Sequence, residues 1–205
     1  MAGRSLKGKL LVATPLLGDP NFFGTVVLML DHGDGGALGV VLNRPSEVVV
    51  GLTLSRWDGV ASEPGVVFIG GPVSRESAMA LAMIERVRIE EAGIEEGEVD
   101  NGGGEDPEEG EGWRVVLGGV AIVDLRGDPH DLWPGGLEGS GVRGLRVFSG
   151  HAAWGAGQLE SELNSGAWVV AESEPGDVVT RAPSGLWYTA MKRADGQTSS
   201  TAGLN

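Results

Sequence analysis

Phe148-Ser149-Gly150-His151-Ala152-Ala153-Trp154-Gly155-Ala156-Gly157-Gln158-Leu159-Glu160-Ser161-Glu162-Leu163, closed by Ala167-Trp168, sets the pattern against which the rest of the chain is read. The block reads as a strand, a glycine-lined turn carrying a large aromatic, and a short amphipathic helix. Leu159 and Leu163 stand four apart on one helical face, with Gln158, Glu160 and Glu162 turned outward. Trp154 and Trp168 bracket that helix. Their simplest role is to clamp it to a sheet, each burying a large apolar area with one N–H to satisfy.

Composition favours strands. Glycine accounts for 36 of 205 residues, roughly two and a half times the usual ~7%. Such an excess predicts tight turns and close backbone approaches, hence a strand-rich fold with short connections. The length suits one domain, residues 1–205, with a core of its own. The absence of cysteine excludes disulfides, thiolate metal sites and a cysteine nucleophile. Met1 to Lys9 carries basic residues without an apolar core of signal-peptide length, and the longest apolar run, Val26 to Leu30, is too short to span a bilayer. No membrane association is expected, and the cytoplasm is the expected compartment.

Charge is unevenly placed. The formal net charge is −14, and 11 of the 29 acids fall between Glu90 and Gly112, where there is no Lys or Arg. The rest of the chain holds 18 acids against 15 bases, a net of −3. With Gly102-Gly103-Gly104 and no hydrophobic periodicity, residues 90–112 read as a flexible acidic insertion. A solvated surface loop is the plainer meaning; an arm for a basic partner, or a mimic of nucleic-acid charge, is the functional one. Gly196 to Asn205 is polar and reads as a disordered tail.

Lys9 to Thr14, Thr25 to Asp31 and Ala37 to Asn43 are apolar runs predicted as strands, the last two joined through Asp34-Gly35 as a hairpin. Val66 to Ile69 is a further strand stopped by Gly70-Gly71-Pro72, and Trp113 to Leu117, Gly119 to Leu125 and Val142 to Phe148 follow the same pattern. Ser74 to Ile84 fits either helix or strand. A second helix is predicted over Ser184 to Arg193, capped by Ser184, with Leu186, Trp187, Ala190 and Met191 as its apolar stripe.

The candidate chemistry is sparse. Arg44, in Asn43-Arg44-Pro45 at a strand end, can offer a fork to a carboxylate or phosphate, or can pin its loop as an ordinary ion pair. Gly70-Gly71-Pro72-Val73 exposes amides before a fixed proline; a tight turn is the plainer reading and an anion nest the sharper one. It matches neither nucleotide-binding glycine motif. Asp128-Pro129-His130-Asp131 sets two carboxylates beside one imidazole, but no second histidine stands at ligand spacing, so no metal and no cofactor are expected. His151 sits at the strand-to-helix turn, with packing against Trp154 as its plainer role. Ser149-Gly150-His151 is not a nucleophile elbow, because Val147 and His151 stand where glycines are needed. Gly155 and Gly157 ahead of the helix can leave amides open to an anion.

Taken in order, Lys9 to Pro15, Asp19-Pro20-Asn21-Phe22, Val26 to Asp31, Gly36 to Pro45, Gly70-Gly71-Pro72-Val73 and the Trp154 to Trp168 block resemble the YqgE/AlgH family of bacterial proteins. The resemblance spans about residues 6 to 193. It implies a single α+β domain built on a large mixed β-sheet folded toward a pseudo-barrel, with a few short helices, and it tips Ser74 to Ile84 toward strand. The resemblance brings no established enzymatic activity with it; some members of the family are described as regulators of transcription, notably of exopolysaccharide production. The family often has tyrosine where this chain has His151, and residues 90–112 look like an insertion on its pattern.

Two functional expectations follow. A net charge of −14 without a basic cluster or recognition motif argues against direct nucleic-acid binding, so a regulatory role runs through a protein partner. The alternative is a small-ligand binder or enzyme with a cleft near Asn43, Arg44, Gly70, Gly71, His151 and Trp154. Convergence of those positions on one concave pocket separates the two. The oligomeric state stays open at this point.

Overall fold

The computed structural model describes residues 5–84, 112–117, 119–129 and 142–201. Most of the acidic insertion, residues 90–111, together with His130 and Asp131, lies outside the described residues. Ten strands are described: β1 Lys9–Ala13, β2 Val26–Gly33, β3 Gly36–Val41, β4 Pro45–Val49, β5 Val66–Ile69, β6 Val73–Ile84, β7 Trp113–Leu117, β8 Val120–Val123, β9 Val142–Gly155 and β10 Trp168–Glu172. Helices α1 Val50–Thr53, α2 Gln158–Asn164 and α3 Pro183–Thr201 accompany them, with 3-10 turns at Ser55–Trp57 and Pro175–Asp177.

All ten strands join one sheet in the order β10-β1-β2-β3-β9-β6-β8-β7, with β4 and β5 branching from β9. Among the described residues only the β5–β9 pair is parallel, and it makes the sheet mixed. The sheet does not close. The α+β class and the strand assignment of Ser74 to Ile84 both hold.

The continuous apolar runs have a direct cause: β1 and β2 are covered on both faces. Leu10, Val12, Val26, Leu28 and Leu30 point into one core with Leu186, Ala190 and Ala194 of α3. Leu11, Ala13, Val27 and Met29 point into another with Phe22, Trp154, Leu159 and Trp168. A strand buried on both faces shows no polar alternation. A third core gathers Trp57, Val115, Val123, Leu145 and Val147 on the far half of the sheet.

β9 is the hinge of the architecture. Its Val142–Ser149 portion pairs with β6, while Ala152–Gly155 pairs with β3. Between them Gly150 adopts φ 69°, and a Cβ there would lie 2.7 Å from the carbonyls of Gly71 and Val73. Glycine is the residue that fits both demands.

Two boundaries shift from the sequence reading. α3 opens at Pro183, whose missing N–H suits the first helical position, so Ser184 lies inside the first turn and is not the cap. The helix also runs past Arg193 to Thr201, into the segment read as tail. Arg193 itself grips Asp177 at 2.8 and 2.6 Å and fixes the helix to the Pro175–Asp177 turn.

Candidate functional site

The conspicuous 148–168 block folds as framework. β9 continues through Gly155, so His151 is a strand residue and not part of a turn. Ala152 and Trp154 are buried on one face; alternation places His151 on the other. The expected packing of His151 against Trp154 therefore does not occur. Burial pushes the His151 imidazole below its ordinary pKa.

Trp154 instead stacks near Phe22 at 6.1 Å between ring centroids and meets Trp168 edge-on at 5.9 Å. Both indole N–H groups donate to the same Glu162 Oε2, at 2.9 Å from Trp154 and 2.8 Å from Trp168. Gln158 Nε2 donates to the other carboxylate oxygen, Oε1, at 3.0 Å. The Gly155 amide, a candidate donor to an anion, is taken by Gln158 Oε1 at 3.1 Å. The two indoles, the Gln158 side-chain amide and the Gly155 amide thus all have internal acceptors.

Asn43 is framework too. Its Oδ1 accepts from the Val26 amide at 2.9 Å and its Nδ2 donates to the Gly24 carbonyl at 2.9 Å, so the side-chain amide stands in for a strand neighbour at the start of β2. Gly70 and Gly71 form the tight crossing that was the plainer expectation. A Cβ on Gly70 would lie 2.3 Å from the Gly150 carbonyl oxygen, and one on Gly71 2.1 Å from that of His151. The Gly70 amide donates to the Ser149 carbonyl at 2.8 Å.

Arg44 behaves differently. It lines an open cleft of about 200 Å³ together with Asn21, Ile69, Gly71, Pro72 and Arg75. Its guanidinium donates to the carbonyls of Asn21 and, at 3.1 Å, Phe23. Burial lowers its pKa, partly countered by the Asp19 carboxylate. Of the positions singled out in the sequence, Arg44 and Gly71 meet in this cleft; Asn43, Gly70, His151 and Trp154 do not line it. Asn21 and Arg75 are additions the sequence reading missed. The available signal was the polar run Ser74-Arg75-Glu76-Ser77 breaking an apolar segment directly after Gly70-Gly71-Pro72.

Arg146 is a second unusual cation. It is 1% exposed, lies 4.1 Å from the Phe68 ring centroid, and donates through Nη2 to the carbonyls of Glu63 and Thr180. Its Nε and Nη1 have no hydrogen-bond partner among the described residues, and burial lowers its pKa to about 10. Among the described residues no group of three or more metal-ligating side chains forms, and no helix is long and apolar enough to cross a membrane.

With this geometry in hand, the sequence profile of the AlgH-like family matches residues 10–199. The chain belongs to that family. A UPF0301 protein of Streptomyces coelicolor is 48% identical over 192 residues, covering 94% of this chain and 88% of that protein. One from Thermobifida fusca is 40% identical over 205 residues, covering 94% and 89%. Among solved structures, the AlgH-like fold is matched by protein DIP2367 of Corynebacterium diphtheriae at TM-score 0.72 and 26% identity, covering 93% of this chain and 87% of that one. The AlgH protein of Pseudomonas aeruginosa matches at TM-score 0.58 and 25% identity, covering 94% and 90%.

Proposed function

We propose that this AlgH-like chain is a non-enzymatic binding protein of the cytoplasm that works through contacts with another protein. The observation that carries this reading is strand β4. Among the described residues it pairs on one side only, with β5. Val48 and Val49 on it and Leu52 just beyond it are exposed, Leu52 at 86%. An edge strand with uncovered aliphatic side chains is a template for an added strand, main-chain hydrogen bonds supplying affinity and side-chain contacts specificity. The partner is thus an extended apolar segment of another protein.

The enzyme reading has less support. The cleft-lining set contains no nucleophile and no general base, and His151 stands outside it. An effect on transcription would run through the partner, because a chain of net charge −14 repels a phosphate backbone.

Site-specific photo-cross-linking in cells tests the proposal. Benzoylphenylalanine at position 52 is expected to capture one protein of discrete mass, and the same probe at the exposed Tyr188 of α3 is not. No product at position 52, a product at both positions, or capture of a second copy of this chain would contradict it.

A further inference from the structure

The cleft beside β4 holds two arginines in different states. Arg44 is tethered: its guanidinium hydrogens go to backbone carbonyls of the 20–23 loop, which orient the group without neutralising it. Arg75 is exposed, and its side chain has no hydrogen bond or ion pair among the described residues. One cation is positioned; the other is available.

The backbone that delivers Arg75 is strained. Ser74 adopts φ 48°, the only left-handed non-glycine among the described residues. The β6–β9 register jumps from Val73↔His151 to Ala78↔Ser149, so residues 74–77 bulge out of the ladder. The Ser149 hydroxyl donates to the Arg75 carbonyl and holds the bulge in place. A left-handed non-glycine is unfavourable and persists where its surroundings over-determine it. Bulges of this kind re-aim a side chain. Here the side chain re-aimed is Arg75, and it lines the same cleft as Arg44.

We propose that the Arg44–Arg75 cleft binds a carboxylate. The two oxygens of a carboxylate match the guanidinium fork of Arg75, Arg44 adds a fixed positive charge behind it, and Ile69 and Pro72 supply apolar walls for the group that bears the acid. A phosphate dianion fits less well. Phosphate sites gather several backbone amides, whereas of the two glycines at the crossing Gly71 lines the cleft and Gly70 does not, its amide being spent on Ser149. The Asp19 carboxylate acts on Arg44 and opposes a second negative charge. The carboxylate can belong to a protein's acidic residue or to a free organic acid; the chemistry at the cleft is the same. This inference does not depend on strand addition at β4.

NMR titration of the full chain in low-salt buffer tests it, using acetate, succinate, inorganic phosphate and the blocked tripeptide acetyl-Gly-Glu-Gly-amide. Saturable shifts at the Gly71 amide and the Arg75 Nε–H are expected with the carboxylates, with affinity falling at least tenfold in Arg75→Ala and only partly restored in Arg75→Lys, which keeps the charge and loses the fork. Tighter binding of the tripeptide than of succinate identifies a protein source, and the reverse a free acid; either supports the site. No saturable shift, equal binding by Arg75→Ala, or tighter binding of phosphate would overturn the proposal. Because the Arg75 side chain has no hydrogen bond or ion pair among the described residues, and its carbonyl, which Ser149 holds, is kept in the variant, a fold-dependent loss is separable by confirming that the variant's spectrum is otherwise unchanged.

Discussion

The two ends of the β9 crossing make opposite use of polar groups. Beyond Gly150, Trp154 and Trp168 share one carboxylate of Glu162, Gln158 is bonded at both ends of its amide, and Phe22 completes the aromatic cluster. Across the crossing, at Gly71, the Arg75 side chain has no hydrogen bond or ion pair among the described residues and stands in an open cleft next to a tethered Arg44. The first region is closed on itself and works as framework; the second leaves side-chain donors of Arg75 without a partner among the described residues. Chemical conspicuousness in the sequence and chemical availability in the fold are therefore different properties. A cluster of tryptophans and acids that satisfies itself has little left to offer a ligand.

Predictions that break or sharpen this contrast run from large to small. Trp154→Ala removes a 5% exposed indole from the aromatic cluster and should lower the unfolding free energy by about 3–5 kcal/mol, the usual loss for a buried large aromatic. Urea unfolding measures it, and a loss below about 1 kcal/mol would mean the cluster is not framework. Gly71→Ala places a Cβ 2.1 Å from the His151 carbonyl oxygen. Backbone must shift, so a loss of about 2–3 kcal/mol is expected, as for overpacking elsewhere, together with weakened carboxylate binding because Gly71 lines the cleft. A neutral Gly71→Ala would show that the crossing is loose.

Arg146 sharpens the comparison from a third position, since it is a cation buried without a carboxylate partner among the described residues. Replacing such a charge with an apolar side chain of similar size is often neutral or stabilising. Arg146→Met should therefore be no less stable than the parent, and up to about 2 kcal/mol more, at neutral pH. The sign with pH follows from the folded pKa of about 10, below the unfolded value. Burial penalises the charged form, so the penalty is complete below pH 10. Above it the unfolded chain holds more protons than the folded one, and stability of the parent rises with pH. The advantage of Arg146→Met should shrink above pH 10 in denaturant melts. An advantage that grows there would place the cause elsewhere.

Much of the frame was legible. Thr25 to Asp31 and Lys9 to Thr14 read as strands because both faces are covered, and Asp34-Gly35 marked a hairpin that closes at Gly33↔Gly36. Leu159 was read onto the inner face of α2 and is buried there. The misreadings have a common origin in partners distant along the chain. Residues 151–155 looked like a turn because glycine and alanine dominate locally, yet Ala37–Gly39 and Gly36 of β3 give them a ladder to join. Asn43 looked like a cleft residue, but its amide is consumed by Gly24 and Val26. Arg75 looked unremarkable because the bulge that aims it exists only once β6 lies on β9. Arg44 was read as a cation at a strand end near a glycine turn, and it lines the cleft.

Urea unfolding of Glu162→Ala set beside Arg75→Ala tests the central contrast most directly. Removing Glu162 strips the shared acceptor from two buried indoles, and an unpaired buried donor costs roughly 1–3 kcal/mol each. The predicted result is a loss of about 2–4 kcal/mol for Glu162→Ala and a change within about 0.5 kcal/mol for Arg75→Ala, as for a surface residue without internal contacts. A stable Glu162→Ala, or an Arg75→Ala that loses 2 kcal/mol or more, would contradict the division into a self-satisfied framework and an open cleft.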